Sequence, residues 1–570
     1  MSNYIFRNSE HQIVSKIKLF TLAFLALSQS AFAANLILPG AGGQIQQIPP
    51  ATIPQKAAPE IQVEQGATPV APTADTATIV VKSLHLIGQT LYSEAELLAL
   101  TGFIPDSELS LSTLRGMAGK IADHYHKNGY FVAQAYLPAQ DVRDGSVTIT
   151  VLEGHYGKVS LNNQTRLSDG LANRIFDGPK TGDPVAISPL ENQLLLLSDT
   201  PGVKVKSTLT PGAAIGTSDL LVDLTPGPRV SGNIEADNAG NYYTGRYRLG
   251  ATVHLNNPLG LGDVFSLRGL TSGSGMNYGR ASYQLQLGRA TAGVAYAAME
   301  YELGEEFEYL DAHGTALIAS VFGRYPLIRS RNTNLYAMAE YDHKTFLDKV
   351  DATSTVNDRK VQVGQGGLVG HHRDTFGGGG VSSFSVAVTA GDVDITTPAA
   401  LAVDQATAQS NGSFQKLGFT AARLQNITQT ISFYGAINGQ LASENLDSSE
   451  KLALGGPYAV RAYPVGEGYS DEGYVATLEA RLLLPKFSER QLGQMHLIGF
   501  GDIGRGTINK DPWTNDDNHR TLSGAGIGFI WADYNNFMVN MSYAFKVGNE
   551  EATAAPDASG RFWIQLVKYF

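Results

Sequence analysis

The chain has 570 residues, a formal net charge of −11 and no cysteine. Its length admits several domains, and its acidity argues against nucleic acid as the main partner. The missing cysteines exclude disulfides, thiolate zinc sites and cysteine nucleophiles together.

At the N-terminus, Lys16 and Lys18 precede the apolar run LFTLAFLAL (Leu19–Leu27), and Ala31-Phe32-Ala33 follows. A basic start, a short apolar core and a small-x-small site describe a secretory signal peptide over residues 1–33. No later stretch reaches the ~18 consecutive apolar residues that a membrane helix needs. Residues 34–77 hold seven prolines and few large apolar groups after Leu36, Ile37 and Leu38, so the spacing predicts an extended linker with a candidate plug segment before Pro49.

From Thr78 the pattern becomes that of a folded module. IVVKSLHLIG reads as a strand, and Ser93 with Glu96 forms a capping box that opens a helix. Leu114, Met117, Ile121 and Tyr125 recur at helical spacing, and Gly129 stands where a C-cap belongs. GYFVAQAYLPAQ and SVTITVLEG read as two further strands, giving an α+β domain over 78–154. The same order of elements recurs over 155–227, which predicts a duplicated module.

After Pro228 the texture changes to period two and stays so. Tyr247, Leu249, Ala251, Val253 and Leu255 alternate with Arg246, Arg248, Gly250, Thr252 and His254, and Phe537, Val539, Met541, Tyr543 and Phe545 continue the pattern near the end. About sixteen such segments of roughly ten residues, separated by unequal polar loops, read as a transmembrane β-barrel over 228–570. A soluble all-β protein is the competing reading.

These residues carry a resemblance. GYFVAQAYLPAQDVRDGSVTITVLEG (Gly129–Gly154) closely resembles the end of the first POTRA domain of two-partner secretion transporters, the TpsB family of haemolysin, haemagglutinin and contact-dependent inhibition systems. LTPGAAIGTSDLLVDL (Leu209–Leu224) is similar to the end of their second POTRA domain, and ADNAGNYYTGRYRLG (Ala236–Gly250) to their first barrel hairpin. GGPYAVRAYP (Gly455–Pro464) resembles the tip of their long sixth loop, with Ala462 where the usual tetrad has glycine, and FGDIG (Phe500–Gly504) matches the motif of their thirteenth strand.

The resemblance implies two POTRA domains before a membrane β-barrel of about 16 antiparallel strands, with a loop at about 444–472 folded back into the lumen. It implies an outer-membrane location with the POTRA domains in the periplasm. The implied partners are a secreted exoprotein bearing an N-terminal secretion domain, outer-membrane lipid and lipopolysaccharide, and the barrel assembly machinery.

Alternation in the two strands that follow this loop points Thr477, Glu479 and Arg481, and likewise His496, Ile498, Phe500 and Asp502, into the lumen, because a carboxylate facing the bilayer is penalised. The resemblance then pairs Arg461 with Asp502. An arginine fork binds a carboxylate bidentately and stacks on an aromatic such as Tyr463 or Phe500. The plainer alternative is a solvated loop charge. Tyr130, Val132, Gln134 and Tyr136 lie on a candidate edge strand for capturing the exoprotein, against the reading that they are core and internal ladder.

No other constellation carries chemistry. His124 and His126 face apart on a helix, His371 and His372 apart on a strand, and Asp392 and Asp394 read as solvated carboxylates. The glycines at 377–380 lack the lysine and hydroxyl of a phosphate loop. The expectation is therefore a transporter with no enzymatic site, metal or cofactor. A passive porin and an outer-membrane protein insertase remain as alternatives. Porins have no periplasmic modules, and insertases of this superfamily carry more of them.

Overall fold

Strict alternation is the feature that shapes this molecule. In the computed structural model, which describes residues 38–49, 60–63, 77–142 and 144–570, the segment from Gln494 to Thr507 buries every second side chain from His496 to Gly506 and exposes those between. The expected signal peptide, and most of the proline-rich linker, lie outside the described residues. The chain divides into two compact units, residues 57–227 and residues 228–570 together with the N-terminal segment.

The first element, α1 (Ala41–Gln46), belongs to the barrel unit. In the other unit, β1 (Glu60–Val63) precedes the first module, built from β2 (Thr78–Val81), β3 (Ser83–Ile87), α2 (Glu94–Thr101), β4 (Ser107–Ser110), α3 (Leu111–Lys127), β5 (Gln134–Tyr136) and β6 (Ser146–Leu152). Ser93 caps α2 by accepting from the Glu96 amide, and Ser110 caps α3 by accepting from Thr113. Leu114, Ile121 and Tyr125 of α3 pack with Leu97, Val147 and Ile149, each essentially removed from solvent. Each such burial is worth about 1.5–3 kcal/mol.

GYFVAQAYLPAQ, expected as one strand, departs from that reading. Gly129 adopts φ +92°, the Tyr130 amide donates back to the Tyr125 carbonyl, and Ala133 donates to Tyr130. The chain therefore spends residues 130–133 leaving α3, and only Gln134–Tyr136 reaches the sheet, beside β6.

The second module comprises β7 (His155–Asn163), α4 (Asp169–Ile175), α5 (Ile187–Asp199), β8 (Val203–Pro211) and β9 (Thr217–Pro226), an order that matches the first module's without its β2 and β4. Its sheet runs β1-β8-β9-β7. The proline-rich stretch, expected as an extended linker with a candidate plug segment, supplies the short helix α1 and also the strand β1.

Sixteen antiparallel strands, β10 (Val230–Asp237) to β25 (Gly560–Tyr569), close the barrel. Heights differ around the wall. β10 has 8 residues, whereas β15 (Ala312–Arg329), β16 (Thr333–Val350) and β17 (Thr355–Asp374) have 18, 18 and 20. The closing seam pairs Asn233–Asp237 of β10 with Gln565–Tyr569 of β25.

Candidate functional site

Residues 443–471 join β20 (Ile431–Ala442) to β21 (Glu472–Leu483). A polar, glycine-rich sequence of this kind belongs on a surface. Here Glu450, Val460, Tyr463, Glu467, Ser470 and Asp471 are completely buried, because the loop folds into the barrel. Its backbone turns back on itself through bridges between Leu452 and Ser470 and between Gly455 and Val460.

Charges in the loop meet opposite charges on the wall. Glu450 lies 2.7 Å from Lys344 and 3.0 Å from Lys416. Asp447 takes the Nε of Arg359 at 2.8 Å, and Glu467 takes Arg520 at 2.7 Å. Buried ions are tolerated only when paired and hydrogen-bonded, so these contacts define one position for the loop.

Arg461 sits at the tip. Its Nε donates to Asp502 Oδ2 at 2.8 Å, and Nη2 donates to Oδ1 at 2.7 Å, the bidentate fork. The remaining Nη1 donates to Glu479 Oε1 at 2.8 Å, and the guanidinium carbon lies 3.4 Å from the Phe500 ring centroid. The Arg461 side chain is 12% exposed and Asp502 is 0% exposed. Around them, Thr477 donates to Asp502 Oδ1, and Arg481 holds the second oxygen of Glu479 while lying over Tyr434. The Trp563 indole fixes the backbone by donating to the Arg461 carbonyl at 2.7 Å.

The structure brings Arg461, Asp502, Glu479 and Phe500 together and sets Tyr463 aside. The Tyr463 hydroxyl donates to the Glu550 carbonyl, its ring faces Lys546, and it packs with Val460, Phe500 and Leu522. Trp563 and the Glu467–Arg520 pair were not singled out by the sequence, since only the folded barrel brings Trp563 and Arg520 to the loop.

The short helix α1 lies against the same loop. The Ala41 amide donates to Asp348, which also receives Arg359 at 2.6 Å. Tyr469 of the loop donates to the Gly43 carbonyl and receives the Gln47 side chain.

The four residues considered for exoprotein capture do not form one strand. Tyr130 packs edge-on against Tyr92 and Tyr125, and Val132 abuts Gly154 and the second module's core. Only Gln134 and Tyr136 belong to β5, both exposed. Among the described residues, one group has metal-ligand spacing, Asp311, His313 and Asp351, and it is largely exposed.

The family model described as haemolysin secretion/activation protein ShlB/FhaC/HecB matches residues 216–530, and one for the ShlB-type POTRA domain matches 79–154. The chain belongs to the haemolysin secretion/activation family. A relative in Haemophilus influenzae strain 86-028NP, the heme/hemopexin transporter protein HuxB, is 30% identical over 81% of this chain and 82% of its own length. The outer membrane transporter CdiB of Dickeya dadantii is 22% identical over 66% of this chain and 67% of its own.

The solved structure of CdiB from Escherichia coli superposes with a TM-score of 0.66 at 19% identity, covering 88% of this chain and 93% of that one, and shares the fold. Membership makes this chain a two-partner secretion transporter of the outer membrane, with its POTRA domains in the periplasm.

Proposed function

We propose that the transporter exports one large partner polypeptide in unfolded form, taking its N-terminal secretion domain at the POTRA modules and passing it through the barrel. The relatives' names cover heme/hemopexin and hemolysin transport, so the proposal stands at the level they share, a dedicated exoprotein. The finer partners belong to the same reading: outer-membrane lipid and lipopolysaccharide around the wall, and the barrel assembly machinery during insertion.

The observation that carries the mechanism is Arg461 divided between Asp502 and Glu479. A pore that must pass a chain yet stay sealed needs its obstruction held by bonds that can be remade. The loop supplies such bonds as separate ion pairs, beside its apolar packing on Ile498, Phe500 and Leu522. On this reading the arginine contact sets the loop in its transport-competent position. Breaking one side of such a pair strands a buried charge at a cost of about 3–5 kcal/mol.

The test is export of the protein that disappears from the cell surface or medium when this chain is deleted. Arg461→Ala should leave the barrel inserted and heat-modifiable on gels while export falls several-fold. Export at the normal level from Arg461→Ala sinks the role given to the arginine. Unchanged surface proteins after deletion of the whole chain sink the transport reading itself.

A further inference from the structure

On the lipid-facing side of the early barrel wall, glycine stands where a branched or aromatic residue would suit a strand better. Four neighbouring strands are β11 (Arg248–Asn256), β12 (Val264–Thr271), β13 (Met276–Leu287) and β14 (Ala290–Glu302). Their register places Ala251, Gly269, Gly279 and Ala298 side by side in one row. Ile234 of β10 closes one end of the row and Leu317 of β15 the other, both exposed on the outer face. The result is a trough of about 820 Å³, within the range of roughly 300–1,000 Å³ that small-molecule sites occupy.

Neither glycine serves the backbone, since neither has a positive φ and these ladders contain no bulge. A Cβ on Gly279 would meet nothing within 4 Å, and one on Gly269 only the Tyr278 carbonyl at 4.0 Å. Glycine inside such a regular strand points to close approach by another molecule.

One side of the trough is polar. The row above the glycines holds Thr271, Asn277, Glu300 and Thr315. Thr271 donates to Asn277 Oδ1 at 2.6 Å, and Asn277 donates to Glu300 Oε1 at 3.2 Å. β10 follows the periplasmic modules, so the turn after Thr271, two strands on, faces the cell exterior. The polar row therefore lies at the outer-leaflet interface, with the trough just beneath it. No lysine or arginine lines this cavity, so a headgroup phosphate finds no partner there. Carboxylate, amide and hydroxyl groups instead suit hydroxyl and amide partners.

We propose that the trough seats one amide-linked acyl chain of lipopolysaccharide, with the linking amide and neighbouring hydroxyl held by Asn277, Glu300 and Thr315. This deepens, and rests on, the reading above that lipopolysaccharide surrounds the wall. The apolar chain lies along the glycine row between Ile234 and Leu317. A phospholipid would set its phosphate against Glu300. The seat adjoins β10, so a bound chain packs the wall where it is shortest.

The absence of native cysteine lets a benzophenone be attached at one chosen position. Leu249→Cys places it on the trough, and Leu441→Cys places it on the outer face of β20, on another part of the wall. In intact outer membranes, light should couple both positions to lipopolysaccharide. After exhaustive exchange into a maltoside detergent, Leu249→Cys should still couple, at least fivefold above Leu441→Cys. Adding Gly279→Leu, which fills the trough, should abolish that difference. Equal coupling by the two positions after exchange overturns the proposal and leaves the wider reading intact. Absence of coupling at both positions in the intact membrane ends the wider reading, and the proposal with it.

A second arm uses defined lipids. The full chain, delipidated in detergent, is titrated with hexa-acylated lipid A or with phosphatidylethanolamine, and bound lipid is counted by native mass spectrometry. The unaltered chain should hold one lipid A at least tenfold more tightly than phosphatidylethanolamine. Gly279→Leu should lose this preference, and Asn277→Ala/Glu300→Ala, changed only at exposed positions, should narrow it. Equal affinity for the two lipids overturns the proposal. So does a dimer that Gly279→Leu abolishes, which would give the trough to a second copy of the chain.

Discussion

The Cβ of Ala462 stands 2.6 Å from the point that a Cβ on Gly524 would occupy. Ala462 follows the arginine at the loop tip, and Gly524 lies on β23 (His519–Asp533). The alanine that departs from the usual tetrad therefore fits because the wall opposite has no side chain.

Gly524→Ala should push the tip off the wall. Overpacking of this kind costs about 1–3 kcal/mol. The expected result is a lower melting temperature of the folded barrel and reduced export, both restored by adding Ala462→Gly in the same chain. A single variant as stable as the parent would show that the loop moves freely at this point.

Trp563→Phe should test how far the backbone contact contributes. The ring's bulk remains and the indole donor to the Arg461 carbonyl is lost, leaving an acceptor to be satisfied otherwise. A loss of about 1 kcal/mol in stability is expected. Export should fall less than in Arg461→Ala, because the fork to Asp502 is intact. The comparison needs both variants measured side by side for folded yield and export.

Gly42→Leu should dislodge α1. A Cβ there would meet Ser448 Oγ at 2.5 Å and Arg359 Nη2 at 2.9 Å, both engaged in the network below the loop. With the helix displaced, single-channel conductance in a planar bilayer should rise while the barrel stays folded. Unchanged conductance would mean that the helix does not obstruct the pore.

Glu153 links the first module's stability to pH. Burial alone raises the pKa of its carboxyl, but hydrogen bonds from the Thr90 hydroxyl, the Leu91 and Thr90 amides and the Tyr125 hydroxyl outweigh this and hold it below the ordinary value. A depressed pKa stabilises the fold above the unfolded glutamate value of about 4.3, and that stability is lost as pH falls through the folded value. Glu153→Gln should therefore flatten the acid side of the stability profile, read as hydrogen exchange at Thr90 and Leu91 in the full chain. A profile unchanged by the substitution would remove Glu153 as the cause.

The barrel and the inward carboxylates are legible in the sequence because lipid leaves few choices: period two assigns Asp502 and Glu479 to the lumen. The short strand β1 is not, since four residues, EIQV, flanked by proline-rich chain carry no periodicity. Tyr130 and Val132 misled for the opposite reason. Their alternation continues that of β5, but the turn after Gly129 consumes them. Trp563 reaches Arg461 only because the loop folds in against the wall that carries β25, a relation that no local pattern encodes.

The unequal wall also acts on the surrounding bilayer. At about 3.4 Å per residue and a tilt near 40°, the 8 residues of β10 rise roughly 21 Å, and the 18 of β16 rise roughly 47 Å. A hydrocarbon layer about 30 Å thick is overtopped on one side and underspanned on the other. Acyl chains beside β10 must shorten or splay to meet the protein. Thinning of the membrane next to the closure is therefore expected, and insertion should depend on lipid chain length.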